Sequence, residues 1–321
     1  MLGTPRFAVL LCTHNGAGFL EQQLRSLSAQ TISPQWMFVH DWDSSDGTRE
    51  LIQRWQQAAS SPTQWQVVLH DHAPGPCQSF LQSTAQCLDS DTPFDYLFFC
   101  DQDDVWHSEK LQAFAQALAG RQDVDLMYSD VALIDAAGAL VAPTYLQAGG
   151  AFGRPMDMEH GSCLFVSTVS GMSMALSRSF LQRTRSVWAR PGWHMHDWAM
   201  SICAYLSRAR VVFIPRALVN YRQHGANLVG GTGSGSGRAG LGRRHQASGI
   251  CTALVRARRY VLSVHRQYQS CVNAPKLPAW RQIPAMARPP MVALAVLRGR
   301  SLPLPKRLKV ALGYLVLWPW R

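Results

Sequence analysis

The sequence predicts an α/β fold in which a mostly parallel sheet is flanked by helices and followed by a basic C-terminal helical extension. Three observations predict it: strand-like and helix-like segments alternate through the first hundred residues, polar clusters follow the strand-like runs, and charge is divided unevenly along the chain. Of the 321 residues, 47% are hydrophobic and 16% are charged. This composition supplies a large core, and it excludes intrinsic disorder and a small disulfide scaffold.

Short apolar runs in the N-terminal part each end in a turn or a polar cluster. They lie at residues 7–12, 36–40, 66–69 and 96–100. Apolar residues at helical spacing follow the first two runs, and a helix is expected at 80–88. Repeated strand–turn–helix units are typical of right-handed crossovers between parallel strands. Ligands of such sheets bind at the carboxyl ends of the strands, where the polar clusters fall.

The segment from 111 to 224 is less regular. A helix is expected near 111–118, a strand at 125–129, an apolar segment near 162–176 and a helix containing 197–206. Residues 225–242 are rich in Gly and Ser, which is typical of a flexible linker or a mobile loop.

The basic residues are concentrated in the C-terminal third. Residues 206–321 hold 20 basic and no acidic side chains, whereas residues 1–205 hold 11 basic and 20 acidic ones. Such an excess favours contact with nucleic acid or with anionic lipid. No nucleic-acid module or clear interleaving of basic and stacking residues is present, so nucleic acid is not expected. The apolar segments 291–297 and 310–320 fit a membrane surface, with packing on the domain as the alternative.

The chain is expected to work in the cytoplasm. Its eight cysteines form no C-x-x-C pair and several lie in apolar runs, which indicates reduced core residues. The start of the sequence has no signal-peptide pattern, and no uninterrupted apolar run is long enough to span a bilayer.

The run Asp101-Gln102-Asp103-Asp104 directly follows a buried strand. Three carboxylates within four residues repel one another, and a divalent cation would offset that repulsion. Mg²⁺ or Mn²⁺ held by one or two carboxylates, water and a diphosphate is the expected arrangement. The alternative is a solvated acidic turn that caps the next helix.

Two further polar clusters follow the first two strands. Residues 41–48 are rich in Asp and Ser, and Thr13-His14-Asn15-Gly16 ends the first strand. Together they could form a nucleoside pocket, although each could also be a turn that only caps a helix.

Other enzyme classes fit less well. The His194-x-His196-Asp197 cluster could bind zinc, but a supporting Cys or His at a usual spacing is missing. The G-x-S-x-G elbow of hydrolases is absent, and no G-x-G-x-x-G follows the first strand.

With these motifs in order, the sequence resembles family 2 glycosyltransferases of the GT-A fold, and within them the bacterial rhamnosyltransferase-like branch. The resemblance covers roughly residues 7–230. The segments that carry it are 9–16, 21–27, 30–31, 41–48, 98–106, 195–198 and 221–227.

The resemblance implies roles for individual residues. It places the divalent metal at Asp101 and Asp103 and makes Asp197 the catalytic base that deprotonates the acceptor hydroxyl, with inversion at the anomeric carbon. Arg222 and His224 would contact the diphosphate of the donor. The residues implied in nucleotide binding are Thr13, His14, Asn15, Asp41, Asp43 and Asp101.

Two positions depart from the family pattern. Trp42 stands where the family has a second Asp that reads the nucleobase, so Asp41 or Asp43 could substitute for it, or Trp42 could stack on the base. His14 stands where an aromatic residue such as Tyr is common, and an imidazole can also stack and hydrogen-bond.

The resemblance implies an inverting, metal-dependent enzyme of cell-surface polysaccharide synthesis. It would use Mg²⁺ or Mn²⁺ and move a sugar, for which rhamnose is one possibility, from a dTDP- or UDP-sugar to a glycan or lipid-linked acceptor at the inner face of the plasma membrane. The alternatives are a non-catalytic nucleotide- or sugar-binding protein and a polyanion-binding protein. The expected division is a nucleotide-sugar half at 1–110, an acceptor and catalytic half at 111–225, a linker at 226–249 and a membrane-associating extension at 250–321.

Overall fold

The structure is a computed structural model. It describes residues 5–59, 62–121, 123–148, 153–164, 167–225 and 289–298, together with positions 262, 266, 304–305, 307–308 and 311–312. The predicted linker at 226–249 and most of the extension at 250–321 lie outside the described residues.

Strands and helices alternate through the first half, as the apolar runs predict. In chain order these elements are β1 (Phe7–Thr13), α1 (Ala17–Ser28), β2 (Trp36–Trp42), α2 (Thr48–Ala58), β3 (Gln64–His70), α3 (Pro76–Asp89), β4 (Tyr96–Cys100), β5 (Val105–Trp106) and α4 (Lys110–Leu118).

The second half adds further strands and helices. They are β6 (Leu126–Asp135), β7 (Leu140–Ala142), short 3-10 turns at Ser162–Leu164 and Gly171–Ser173, β8 (Met174–Ser177), α5 (Arg178–Trp188), α6 (His196–Leu206), β9 (Val211–Gln223) and α7 (Pro289–Arg298). The patterns at 111–118, 125–129 and 197–206 predict α4, the start of β6 and α6. They miss α5 and the long strand β9.

One sheet organises the described residues, in the order β3-β2-β1-β4-β8-β6-β9-β5, with β7 paired to β6. The first four strands are parallel. Strand β8 runs antiparallel between β4 and β6, and β9 runs parallel to β6. The predicted α/β fold with a mostly parallel sheet is confirmed.

Register brings the polar clusters together at one edge of this sheet. Thr13 lies beside Asp41, and Leu11 lies beside Cys100, so the loops after β1, β2 and β4 leave the sheet side by side. The carboxyl ends of parallel strands form the edge where ligands bind in such folds.

The core has two parts, one on each face of the sheet. Along β1, Ala8 and Leu10 belong to one cluster of buried side chains, and Val9 and Leu11 belong to the other. A strand buried on both faces needs a continuous apolar run rather than an alternating one, which explains the sequence at 7–12.

Helix α7 packs on the domain. Ala293 and Val296 are 3% and 1% exposed, Val296 belongs to one of the core clusters, and the helix contacts the Ser162–Leu164 turn. For this face of 291–297, packing on the domain is the arrangement that the structure has. In the part of the chain that is described, no helix is both long and apolar enough to cross a bilayer.

Candidate active site

The loops after β1 and β2 are joined by hydrogen bonds. Asn15, which has a left-handed φ of 48°, donates its backbone N–H to Ser44 Oγ (2.8 Å) and accepts the backbone N–H of Ser45 on Oδ1 (2.9 Å). The backbone N–H of Gly16 donates to Thr48 Oγ1 (2.8 Å). These contacts fix the shape of the edge where a nucleoside is expected.

Asp41 is fully buried beneath these loops. Its carboxylate accepts hydrogen bonds from Thr13 Oγ1 (2.7 Å), Ser44 Oγ (2.6 Å) and Arg49 Nε (2.6 Å). Burial disfavours its charge, but the bonds from Ser44, Arg49 and Thr13 hold the pKa of Asp41 below its ordinary value. Asp41 and Thr13 thus serve the scaffold of the loop, and their contact with a nucleotide stays a prediction.

Trp42 is also buried, and its indole stacks on His70 with ring centroids 3.6 Å apart and an interplanar angle of 4°. His72 approaches the indole edge-on at 6.1 Å. Stacking of Trp42 on a nucleobase would compete with this arrangement. Asp43 is exposed next to it, with a φ of 60°. Of the two carboxylates proposed to substitute for the missing Asp, Asp43 is the accessible one.

Gln102 ties the loop after β4 to the loop after β1. Its amide accepts the backbone N–H of His14 (2.9 Å) and donates to the backbone oxygen of the same residue (3.0 Å). The His14 ring is exposed, with Nδ1 2.6 Å from the Trp42 backbone oxygen. A Cβ on Gly16 would overlap the end of the Gln102 side chain, which would have to move.

We therefore expect Gly16→Ala to displace Gln102 and to lower the free energy of unfolding by about 1 kcal/mol or more, through the loss of its two hydrogen bonds to His14. Gly18→Ala is the matched control, because no atom lies within 4 Å of an added Cβ there. Alanine should stabilise helix α1 at that position by about 1 kcal/mol. Denaturant unfolding of both variants is the measurement, and equal stability of the two would contradict this interpretation.

Two carboxyl groups of the acidic run after β4 have raised pKa values. Burial, together with the negative charges of Asp103 and Asp197, raises the pKa of Asp101 to about 8. Asp104 is fully buried and accepts the backbone N–H of Arg222 on Oδ1 (3.0 Å). Its Oδ2 is buried without a hydrogen-bond partner among the described residues. Burial and the charges of Asp103 and Asp101 raise the pKa of Asp104 well above its ordinary value.

His224 and Arg222, the two residues predicted to contact the diphosphate, both contact the acidic run. His224 Nε2 lies 2.7 Å from Asp103 Oδ2. Arg222 is buried, and its guanidinium donates to the backbone oxygens of Asp103 (2.7 Å) and Ala136 (3.0 Å) and to Gln22 Oε1 (2.5 Å). Arg222 therefore anchors the acidic loop, and its contact with a diphosphate stays a prediction.

Sequence reasoning missed Lys110, the first residue of α4. It is fully buried, its Nζ donates to the backbone oxygen of Met172 (2.7 Å), and the ammonium lies 3.3 Å from the centroid of the Trp106 ring. Burial lowers the pKa of Lys110 to about 7, although the carboxylates of Asp104 and Asp101 favour its charged form. A Lys ten residues after the end of a buried strand resembles an ordinary helix-start residue, so the sequence carries no signal for this placement.

Asp197 lies in the first turn of α6 and is 6% exposed. Its carboxylate accepts the backbone N–H of Trp198 (2.7 Å) and of Gly171 (3.2 Å). Burial raises the pKa of Asp197 to about 6, although these two N–H groups favour the ionised form. Because its charge also raises the pKa of Asp101, the carboxylates of α6 and of the acidic run face the same region.

His196, next to this carboxylate, is 5% exposed and stacks on Phe80 with centroids 4.1 Å apart. Burial lowers its pKa to about 3, so its ring is neutral. Within the described ranges, no group of three or more His, Cys, Asp or Glu side chains is arranged to hold a metal ion. His196 is thus packed as a core side chain.

The chain is similar to known proteins in sequence and in fold. Residues 8–132 match the sequence profile described as Glycosyl transferase family 2. The dTDP-rhamnosyl transferase RfbG of Shigella flexneri is 23% identical over 220 residues, which cover 68% of this chain and 73% of RfbG.

Solved structures share the fold at low sequence identity. S. aureus TarS 1-349 in complex with UDP-GlcNAc is 13% identical, with a TM-score of 0.55 over 97% of this chain and 71% of that one. The mannosyltransferase PcManGT from Pyrobaculum calidifontis, in complex with GDP-Man and Mn²⁺, is 16% identical, with a TM-score of 0.53 over 98% of this chain and 75% of that one. Residues 8–132 thus match the Glycosyl transferase family 2 profile, in a chain that has the GT-A fold of these solved structures.

Proposed function

We propose that this protein is an inverting, metal-dependent glycosyltransferase that moves a sugar from a nucleoside diphosphate donor to an acceptor hydroxyl. The observation that carries the proposal is the pair formed by Asp197 and Asp101. A buried carboxylate with a pKa of about 6 faces an acidic run at the end of β4, and its charge raises the pKa of Asp101. A base beside a cation-binding loop is what this transfer needs.

Asp197 acts as the general base. It is ionised at pH 7, yet its raised pKa makes it a stronger proton acceptor than an ordinary Asp. The N–H groups of Gly171 and Trp198 hold its carboxylate in place. It takes the proton of the acceptor hydroxyl while that oxygen bonds to the anomeric carbon. The bond to the diphosphate oxygen breaks on the opposite face, so configuration inverts.

Asp101 and Asp103 fit a divalent cation, Mg²⁺ or Mn²⁺. Their charges repel each other at close range, and in the described part of the chain the Asp101 carboxylate accepts no hydrogen bond. With only two or three carboxylates at hand, the remaining ligands would be water and the diphosphate, as is usual for Mg²⁺. A cation there supplies charge that stabilises the departing nucleoside diphosphate.

The nucleoside would lie over the loops after β1 and β2, where His14, Asn15 and Asp43 are exposed. An imidazole can stack on a base, and a carboxylate can accept from a base N–H. A dTDP- or UDP-sugar is the proposed donor. Rhamnose is proposed as the sugar from the similarity to the Shigella flexneri rhamnosyl transferase, with a glycan or lipid-linked acceptor of cell-surface polysaccharide synthesis.

Thermal unfolding with dTDP, UDP, GDP and CDP, each with Mn²⁺, Mg²⁺ or EDTA, tests the site. A ligand that binds only the folded state raises the melting temperature. We expect a metal-dependent rise with one nucleotide that is lost in Asp103→Asn. Asp91→Asn, which removes an exposed carboxylate on the turn before β4, is the matched control and should keep the rise. The absence of a rise with every nucleotide would overturn the proposed function.

A second candidate is a protein that binds nucleotide without transferring sugar. The stacking of Trp42 on His70, at the position where the family reads the base, favours it. It predicts the same thermal shift with no hydrolysis or transfer of any nucleotide sugar. Release of nucleoside diphosphate from a donor separates the two candidates.

A further inference from the structure

The C-terminal segment exposes a row of leucines. Leu304, Leu308 and Leu312 are 55%, 53% and 61% exposed. Each follows the previous one by four residues, and the described positions from 304 to 312 are helical. Residues four apart lie on the same side of a helix. We call these three residues the leucine row.

The leucine row lies on a segment that is attached to the domain. Arg307 donates from Nη1 to the backbone oxygen of Leu297, at the end of α7 (2.7 Å), and Ala311 is 3% exposed. Residues 307 and 311 thus face the protein, while the three leucines are exposed. In α7 itself, Leu294 is 37% exposed, although Ala293 and Val296 beside it are buried. Both described parts of this segment therefore combine a buried side with exposed leucines.

The charge around the leucine row has one sign. Residues 289–312 contain five basic and no acidic side chains, within the basic C-terminal third. A surface that combines exposed leucines with positive charge matches a bilayer that contains anionic lipid, which offers hydrocarbon to the leucines and phosphate to the cations. Nucleic acid would pair with the charge but would leave the leucines in water.

We propose that the leucine row and its basic surroundings dock this protein on an anionic bilayer, without crossing it. The leucines enter the boundary between headgroups and acyl chains, and the basic side chains contact the lipid phosphates. Either signal alone gives weak attachment, and the two together give stable attachment.

Sedimentation with vesicles tests this proposal on the full chain. The vesicles contain phosphatidylethanolamine with phosphatidylglycerol, or phosphatidylcholine alone. We expect the wild type to sediment with the anionic vesicles and to be released by salt. Replacing the leucine row together, by Leu304→Gln, Leu308→Gln and Leu312→Gln, should lower the partition coefficient by about tenfold or more.

The matched control is Leu140→Gln with Val141→Gln, because these side chains are 64% and 54% exposed in β7, outside the basic third. It should sediment as the wild type does. A melting temperature equal to that of the wild type shows that the leucine-row variant is folded.

Three results would overturn the proposal. The first is equal sedimentation of the leucine-row variant and the wild type, and the second is no preference for anionic lipid. The third is that the wild type forms a dimer that binds no vesicle, whereas the leucine-row variant is monomeric. Because none of these readouts needs a nucleotide, failure here is distinct from failure of the proposed function.

Discussion

Asp197→Asn should lower the rate of sugar transfer by about 10³-fold, because an amide cannot take the proton of the acceptor hydroxyl. The backbone N–H groups of Gly171 and Trp198 donate to different oxygens of the carboxylate, so the amide oxygen keeps one of these hydrogen bonds and the amide NH2 faces the other donor. Donor binding should persist, because the nucleoside is proposed to lie over the loops after β1 and β2. Initial rates with saturating donor are the measurement, and binding of the nucleoside diphosphate is the control. Transfer at the wild-type rate would remove Asp197 from the mechanism.

The same residue predicts how the wild-type rate depends on pH. Since burial raises the pKa of Asp197 to about 6, transfer should be constant above that pH and fall about tenfold per unit below it. An unfolded Asp ionises near pH 4, so holding the folded carboxylate ionised costs stability, and this cost is fully present above pH 6. Asn carries no charge and avoids this cost, which offsets the hydrogen bond that the amide loses. Asp197→Asn should thus melt close to the wild type at pH 8, which separates lost chemistry from lost folding.

Lys110→Met should impair both folding and transfer. The substitution leaves the Met172 carbonyl without its donor and removes the buried ammonium that faces Asp101 and Asp104. Leaving a buried carbonyl without its donor costs about 2 kcal/mol. We expect a loss of this size in the free energy of unfolding and a drop of tenfold or more in the transfer rate of the molecules that remain folded. Urea unfolding and initial rates are the measurements.

Lys110→Gln divides that effect into its two parts. Glutamine can still donate to the Met172 carbonyl but carries no charge. If the hydrogen bond positions the Gly171–Ser173 turn, the Gln variant should recover part of the stability that the Met variant loses. If the charge balances the acidic run, both variants should bind Mn²⁺-nucleotide with altered affinity. Two variants as stable and as active as the wild type would show that Lys110 has no role in the site.

The N-terminal half of the fold could be predicted because strands β1, β2 and β4 are short apolar runs buried on both faces. Strand β9 was missed because Pro215 and Arg216 interrupt its pattern. Its partner β6 lies almost ninety residues earlier in the chain, so no local repeat reveals the pairing. The register of this pairing also shifts between Ser129 and Asp130. Strand β8 was hidden within the apolar segment at 162–176, where length alone did not separate strand from turn.

Some residues of the candidate site could likewise be predicted from the sequence, and others could not. Asp101, Asp103 and Asp197 were predicted from short motifs at the ends of elements, and the structure brings them into one region. The anchoring of Arg222 on the acidic loop and the contact of Lys110 with Met172 connect residues far apart in sequence. Neither produces a local pattern, so only a folded structure shows them.

The backbone of the Gly171–Ser173 turn contacts both Lys110, beside the acidic run, and Asp197, the proposed base. The carbonyl of Met172 receives Lys110 from beside the acidic run, and the N–H of Gly171 reaches Asp197. Both contacts are independent of the side chains on the turn, apart from the lack of a Cβ at Gly171, where one would meet His196 Nε2. Substitutions of the side chains on this turn, other than at Gly171, should therefore leave the placement of the acidic run relative to the proposed base unchanged.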